Sequence, residues 1–124
     1  MTSEEIKQRF DYFTKYYSSF PLEQVRDELS SSSVRCKEYA LCALEFKNPI
    51  LSGIALHRYY TEYSAYFLTS AVLSCLTGNE VLVEPQLKKA TYFRGRVLHL
   101  KHAYPSLETM DQLIDALQIP ELRN

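Results

Sequence analysis

A chain of 124 residues forms one domain, large enough to bury about two-thirds of the surface that its unfolded form exposes. Hydrophobic residues make up 46% and charged residues 23%, ordinary globular usage that excludes a disordered chain. Net charge is -1, no apolar run reaches the ~18 residues that a membrane span needs, and MTSEEIKQRF lacks a basic and then apolar leader, so the expectation is a cytoplasmic protein.

Thr2-Ser3-Glu4-Glu5 opens the first helix, with Thr2 and Glu5 at capping-box spacing and early acids suited to the helix dipole. Ile6, Phe10, Phe13 and Tyr17 follow one face, and the helix ends near Ser18-Ser19-Phe20. Pro21 starts the next, striped by Leu22, Val25 and Leu29. The serine run from Ser30 to Ser33 favours caps and turns over helix interior, which leaves open a break or one helix with a weak middle. Apolar periodicity resumes at Cys36, Tyr39, Ala40, Ala43, Leu44 and Phe46, and Asn48-Pro49 stops it.

The chain is organised around a long helix over about 49–77, opened by Pro49 and closed by Gly78-Asn79. Its apolar positions fall in two adjacent rows: Ala55, Tyr59, Tyr63, Tyr66 and Leu73 beside Leu56, Tyr60, Phe67, Ala71 and Ser74. So wide a stripe predicts a central helix packed on several sides. Val81-Leu82-Val83 reads as an extended connection, and Pro85 opens a further helix ended by Tyr104-Pro105. Ser106 caps a last one, striped by Leu107, Met110, Leu113, Ile114 and Leu117 and stopped at Pro120. The expectation is an all-α antiparallel bundle of five or six helices in a single domain over 1–124. Absence of a glycine-rich loop, and an odd set of three cysteines (Cys36, Cys42, Cys75) without a CxxC pair, predict no cofactor, no metal and buried, reduced thiols. Ten tyrosines and six phenylalanines without tryptophan point to an aromatic core that continues into an interface or a pocket.

Charge is segregated near the C-terminus. Lys88, Lys89, Arg94, Arg96 and Lys101 fall between Pro85 and Tyr104 without an acid. Glu108, Asp111, Asp115 and Glu121 follow against Arg123 alone, so the two stretches either pair with each other or the first holds an anion. On a helical wheel Leu87, Ala90, Phe93, Val97, Leu98 and Leu100 fill the inward half of the 85–103 helix, and Lys88, Tyr92, Arg96 and His99 form an outward stripe. Arg94 falls in the middle of the apolar face and needs an anion there: a carboxylate such as Glu62, several carbonyls, or a ligand. Gly95, between two arginines in a helix interior, fits a close approach of another helix or a ligand.

The segment Arg94-Gly95-Arg96-Val97-Leu98-His99 resembles the R-x4-H motif of the HEPN superfamily of helical bundles. Leu87-Lys88-Lys89 before it, Tyr104 after it, and a final acidic amphipathic stretch are similar to the C-terminal half of HEPN domains paired with minimal nucleotidyltransferases; about forty residues carry the likeness. The resemblance implies a homodimer, with Arg94 and His99 of both protomers meeting in a cleft. It also implies metal-independent RNA cleavage of a toxin–antitoxin or defence type, with His99 as acid/base, Arg94 on the scissile phosphate, and Lys88, Tyr92, Arg96 and His102 along the RNA or nucleotide. Active members usually carry a polar residue after the arginine, where this chain has Gly95. The alternative is a non-catalytic adaptor or regulatory module that presents a tyrosine-rich face to a protein partner.

Overall fold

The computed structural model describes residues 2–103, with the side chains of 49, 50 and 101–103 excepted. Four α-helices account for nearly all of it: α1 (Thr2–Tyr17), α2 (Leu22–Glu45), α3 (Pro49–Leu76) and α4 (Val83–Ala103). The fold class is therefore all-α, as the sequence predicts. The expected helix count of five or six is four among the described residues, because α2 runs unbroken over Leu22–Glu45 and the segment after Ala103 lies outside them.

The serine run is no break. Serine costs only a few tenths of a kcal/mol more than alanine in a helix, and tertiary packing overrides that. Ser32 is 3% exposed in the middle of α2. Thr2 lies inside α1 rather than ahead of it. The Val81-Leu82-Val83 connection is not extended: a 3-10 turn over Glu80–Leu82 runs into α4, which starts two residues before Pro85. Proline is tolerated in a first turn, where its missing N–H has no partner to lose.

Short connections make α2, α3 and α4 antiparallel neighbours. The cross-links run accordingly, with partner numbers changing in opposite senses. On one side of α3, the Ser52 hydroxyl donates to the Ala43 carbonyl (2.6 Å) and Arg35 bonds Glu62 (2.8 Å). On the other, Ser74 meets Gln86 (2.9 Å), Ser64 donates to the Ala90 carbonyl (2.8 Å), and Arg96 lies over Tyr60. Thus α3 is central, as expected, and α1 packs across α3 and α4.

The C-terminus of α3 shows why it stops. Gly78 adopts φ +80°, the Asn79 N–H bonds the Ser74 carbonyl (2.8 Å) and the Gly78 N–H bonds the Cys75 carbonyl (3.2 Å). That is a Schellman close, in which a left-handed residue satisfies the orphan carbonyls of the last turn.

Two cores result. Ile6 and Phe10 of α1 pack with Leu68, Ala71 and Val72 of α3 and Ala90 of α4, and Ile54 and Ala55 pack against Cys42, Ala43 and Phe46 at the α2–α3 turn. The tyrosines of α3 are not this core: Tyr59, Tyr60, Tyr63 and Tyr66 are only partly buried, and of the aromatic face Phe67 alone packs against the first cluster. The buried positions of α3 are its small and aliphatic residues, which let neighbouring helices come close. Among the described residues, no helix is long and apolar enough to cross a membrane.

Candidate functional site

The residues of the R-x4-H segment lie on different sides of α4. Five residues of helix separate Arg94 from His99 by about 140° around the axis. Arg94 turns toward α1, where its Nε donates to Glu5 Oε1 at 2.9 Å, with the two side chains 24% and 35% exposed. The anion that the sequence demands is thus present, but it is Glu5 and not Glu62. Arg9, one turn on from Glu5, shares the same carboxylate oxygen at 3.2 Å. Glu62 is held instead by Arg35, which also bonds Glu28, both at 2.8 Å. Burial pulls the Arg35 pKa down, but hydrogen bonds to Glu62 and Glu28 more than offset it, so the guanidinium stays charged.

His99 is exposed. Lys88 is exposed and pairs with Glu84 at 3.9 Å, one turn back on its own helix. Tyr92 is exposed and touches Phe93 edge-on. Arg96 departs from the outward stripe assigned to it: it is partly buried, with its guanidinium 5.6 Å from the centre of the Tyr60 ring. The aliphatic stem of an arginine covers apolar surface readily, and its flat cation suits an aromatic face. Position 102 lies on α4, but the side chain of His102 is outside the described residues. Nor does the glycine mark a close approach. Among the described residues, nothing lies within 4 Å of where a side chain at Gly95 would begin.

Several cavities open among the described residues. One, of about 500 Å³, is an open trough between α1 and the start of α4, lined by Ile6, Phe10, Cys75, Val83 and Leu87 with Lys7, Glu80 and Glu84 at its edges. Among the described residues, none of those expected in the site borders it. A second, of about 280 Å³, holds Arg94 and Arg9 beside Glu28, Thr61 and Thr69. A third, of about 240 Å³, is a groove between α2 and α3 whose floor is Tyr59, Tyr63 and Tyr66 and whose wall is Ser33, Cys36, Lys37 and Ala40.

This groove adjoins an aromatic face, where the sequence predicts an aromatic core that continues into an interface or a pocket. Tyr63, Phe67 and Phe93 lie nearly parallel, with ring centres 4.6 to 5.8 Å apart. Tyr59 and Tyr66 meet Tyr63 edge-on. Lys89 sits 5.1 Å from the centre of the Phe67 ring. Burial, with a smaller push from Glu62, raises the Cys36 thiol to about 11, so it is protonated at neutral pH and is no nucleophile. Burial likewise raises the Tyr59 phenol, keeping it a neutral donor. The signal that could have found this face is the pairing of tyrosines with small residues. Ala55, Ser64, Ala71 and Ser74 mark where helices meet α3, and the tyrosines fall between the two contact lines.

No known family model, characterised protein or solved structure matches this chain.

Proposed function

We propose that this chain is a non-catalytic helical interaction module that presents the tyrosine face of α3 and α4 to a protein partner. One observation carries the reading: the cation that a nuclease would keep for phosphate is already answered by Glu5 at 2.9 Å, whereas the aromatic face is uncovered by any described helix. A carboxylate bound to Arg94 competes with a phosphate for the same donors. Partly exposed tyrosines, by contrast, supply large contact area with a polar tip, the residue type enriched in protein interfaces.

A second reading is a HEPN-like homodimer acting on RNA or nucleotides, with Arg94 and His99 as its catalytic pair. It draws support from the position of Arg94 at the wall of the 280 Å³ cavity, where the guanidinium is still reachable by solvent. RNA turnover in EDTA separates the two. The interaction module gives no cleavage above the blank for the full chain, Arg94→Ala or His99→Ala. Cleavage that disappears in both variants while their circular dichroism is unchanged reverses the choice.

A further inference from the structure

The tyrosine groove holds donors and charge that the described residues do not answer. Among the described residues, Lys37 is the only charged one that lines it, and no carboxylate does. Glu62, whose charge reaches Cys36, is engaged by Arg35. The phenol oxygens of Tyr59, Tyr63 and Tyr66 make no hydrogen bond to another described residue and are not sealed from solvent. On the α4 side, Lys89 and Arg96 stand over Phe67 and Tyr60. The face is therefore apolar at its centre, lined by phenol donors and edged by cations on both long sides.

Stacking decides against a nucleobase as the occupant. A base binds by laying its plane on an open aromatic face. Here Tyr63, Phe67 and Phe93 spend their faces on one another, and cations lie over Phe67 and Tyr60. The unbonded phenol hydroxyls suit carboxylates, and the apolar carbons of the partly exposed rings suit aliphatic side chains. From Tyr59 to Phe67 the floor runs eight residues of helix, about 12 Å, the length covered by anchors at i, i+3, i+4 and i+7 of a second helix.

We infer that the occupant is an acidic amphipathic helix of a protein partner, seated with its apolar side on the tyrosine rings and its Asp and Glu side chains on Lys37, Lys89 and Arg96. The inference rests on the reading of this face as an interaction surface and names the chemistry of what it takes.

The test uses the full chain and a synthetic helical peptide with leucines along one face and glutamates along both flanks. A copy with lysine for every glutamate, and an oligo-dT strand, serve as comparisons. The chain has no tryptophan, and Tyr59, Tyr60, Tyr63 and Tyr66 of this face are four of its ten tyrosines, so their share of the tyrosine emission responds to an occupant. The glutamate peptide is expected to saturate with a change in that emission, to weaken at high salt, and to outbind the lysine copy. Lys37→Glu/Lys89→Glu/Arg96→Glu is expected to weaken it about tenfold or more, since it turns three attractive rim pairs into repulsive ones. Lys37→Ala alone, a milder change, is expected to weaken it about two- to fivefold.

Equal binding of both peptides, or no saturation by the glutamate peptide, overturns the inference. So does displacement of the peptide by oligo-dT, which makes the face a nucleic-acid platform. Binding that emerges only after Glu108, Asp111 and Asp115 are replaced by lysine overturns it too, since the acidic stretch of this same chain is then the occupant. If the peptide fails to bind and RNA turnover is absent, only the partner chemistry is wrong. RNA turnover lost in Arg94→Ala and His99→Ala removes the interaction reading itself.

Discussion

Arg94 and Arg96 stand two residues apart on α4 and meet opposite fates. Arg94 faces the seam with α1, where it shares the Glu5 carboxylate with Arg9 and borders a core of Ile6, Phe10, Leu68 and Val72. Arg96 faces the tyrosines and, among the described residues, has an aromatic ring beneath it and no carboxylate paired with it. Two identical side chains thus serve different ends, set by what the facing helix offers. On the α1 side the helices pair their charges within the chain and close a core. On the tyrosine side they stack rings on one another and leave positive charge at the edge. A charge matched inside the chain contributes to fold, and one left over an aromatic face is available to a partner.

The comparison breaks first at Ile6. That side chain is 2% exposed and joins α1 to both α3 and α4. Ile6→Ala is expected to cost about 2–4 kcal/mol in a urea melt, the range for truncating a well-packed aliphatic side chain. A loss below about 1 kcal/mol makes α1 a loosely docked arm, and the seam is then no core.

Glu5 and Arg94 come next. Their ion pair is neither sealed nor fully wet, so removing one partner is expected to cost about 1–2 kcal/mol, between the surface and buried limits. Glu5→Ala, Arg94→Ala and the double variant form a cycle with a favourable coupling of about 1 kcal/mol. Additive losses show that the guanidinium has no stake in Glu5 and is free for an outside anion, which moves weight to the RNA reading.

Much of the fold is legible in the sequence. Proline and glycine punctuation sets α3 to within a residue or two, and apolar spacing gives the all-helical class. The need of Arg94 for a partner is legible as well, because a guanidinium placed among Leu87, Phe93 and Leu98 calls for a carboxylate, carbonyls or a ligand. Which anion answers is not: Glu5 is 89 residues away, and only the packing of α1 on α4 selects it over Glu62. The tyrosine rows mislead for a related reason. Helical periodicity groups residues by face but does not say which face a neighbouring helix covers, and a tyrosine serves in a core or at an interface. Arg96 escapes notice because its partner is a ring, and rings carry no charge to match.

Gly95 sharpens the contrast from the middle of α4, between the two arginines. A close approach on either side would forbid a side chain there, yet among the described residues nothing lies within 4 Å of its position. Gly95→Ala is therefore expected to stabilise the chain by about 0.5–1 kcal/mol through helix propensity alone, read as a rise in melting temperature. A loss instead means that a second molecule or another part of the chain presses on α4 at that point.

The smallest expected effects belong to the cations of the tyrosine face. Lys89→Ala and Arg96→Ala each remove a cation from above a partly exposed ring, and each is expected to cost only about 0.5 kcal/mol in the same urea melt. Their rings stay packed against Tyr63 and Phe93 without them. The two losses should add, since each cation sits on a different ring. A cost of about 2 kcal/mol or more for Arg96→Ala places that residue among the structural groups, alongside Arg94. Its charge is then committed to holding Tyr60 in place, and the α4 edge of the groove has one cation fewer to offer an acidic partner.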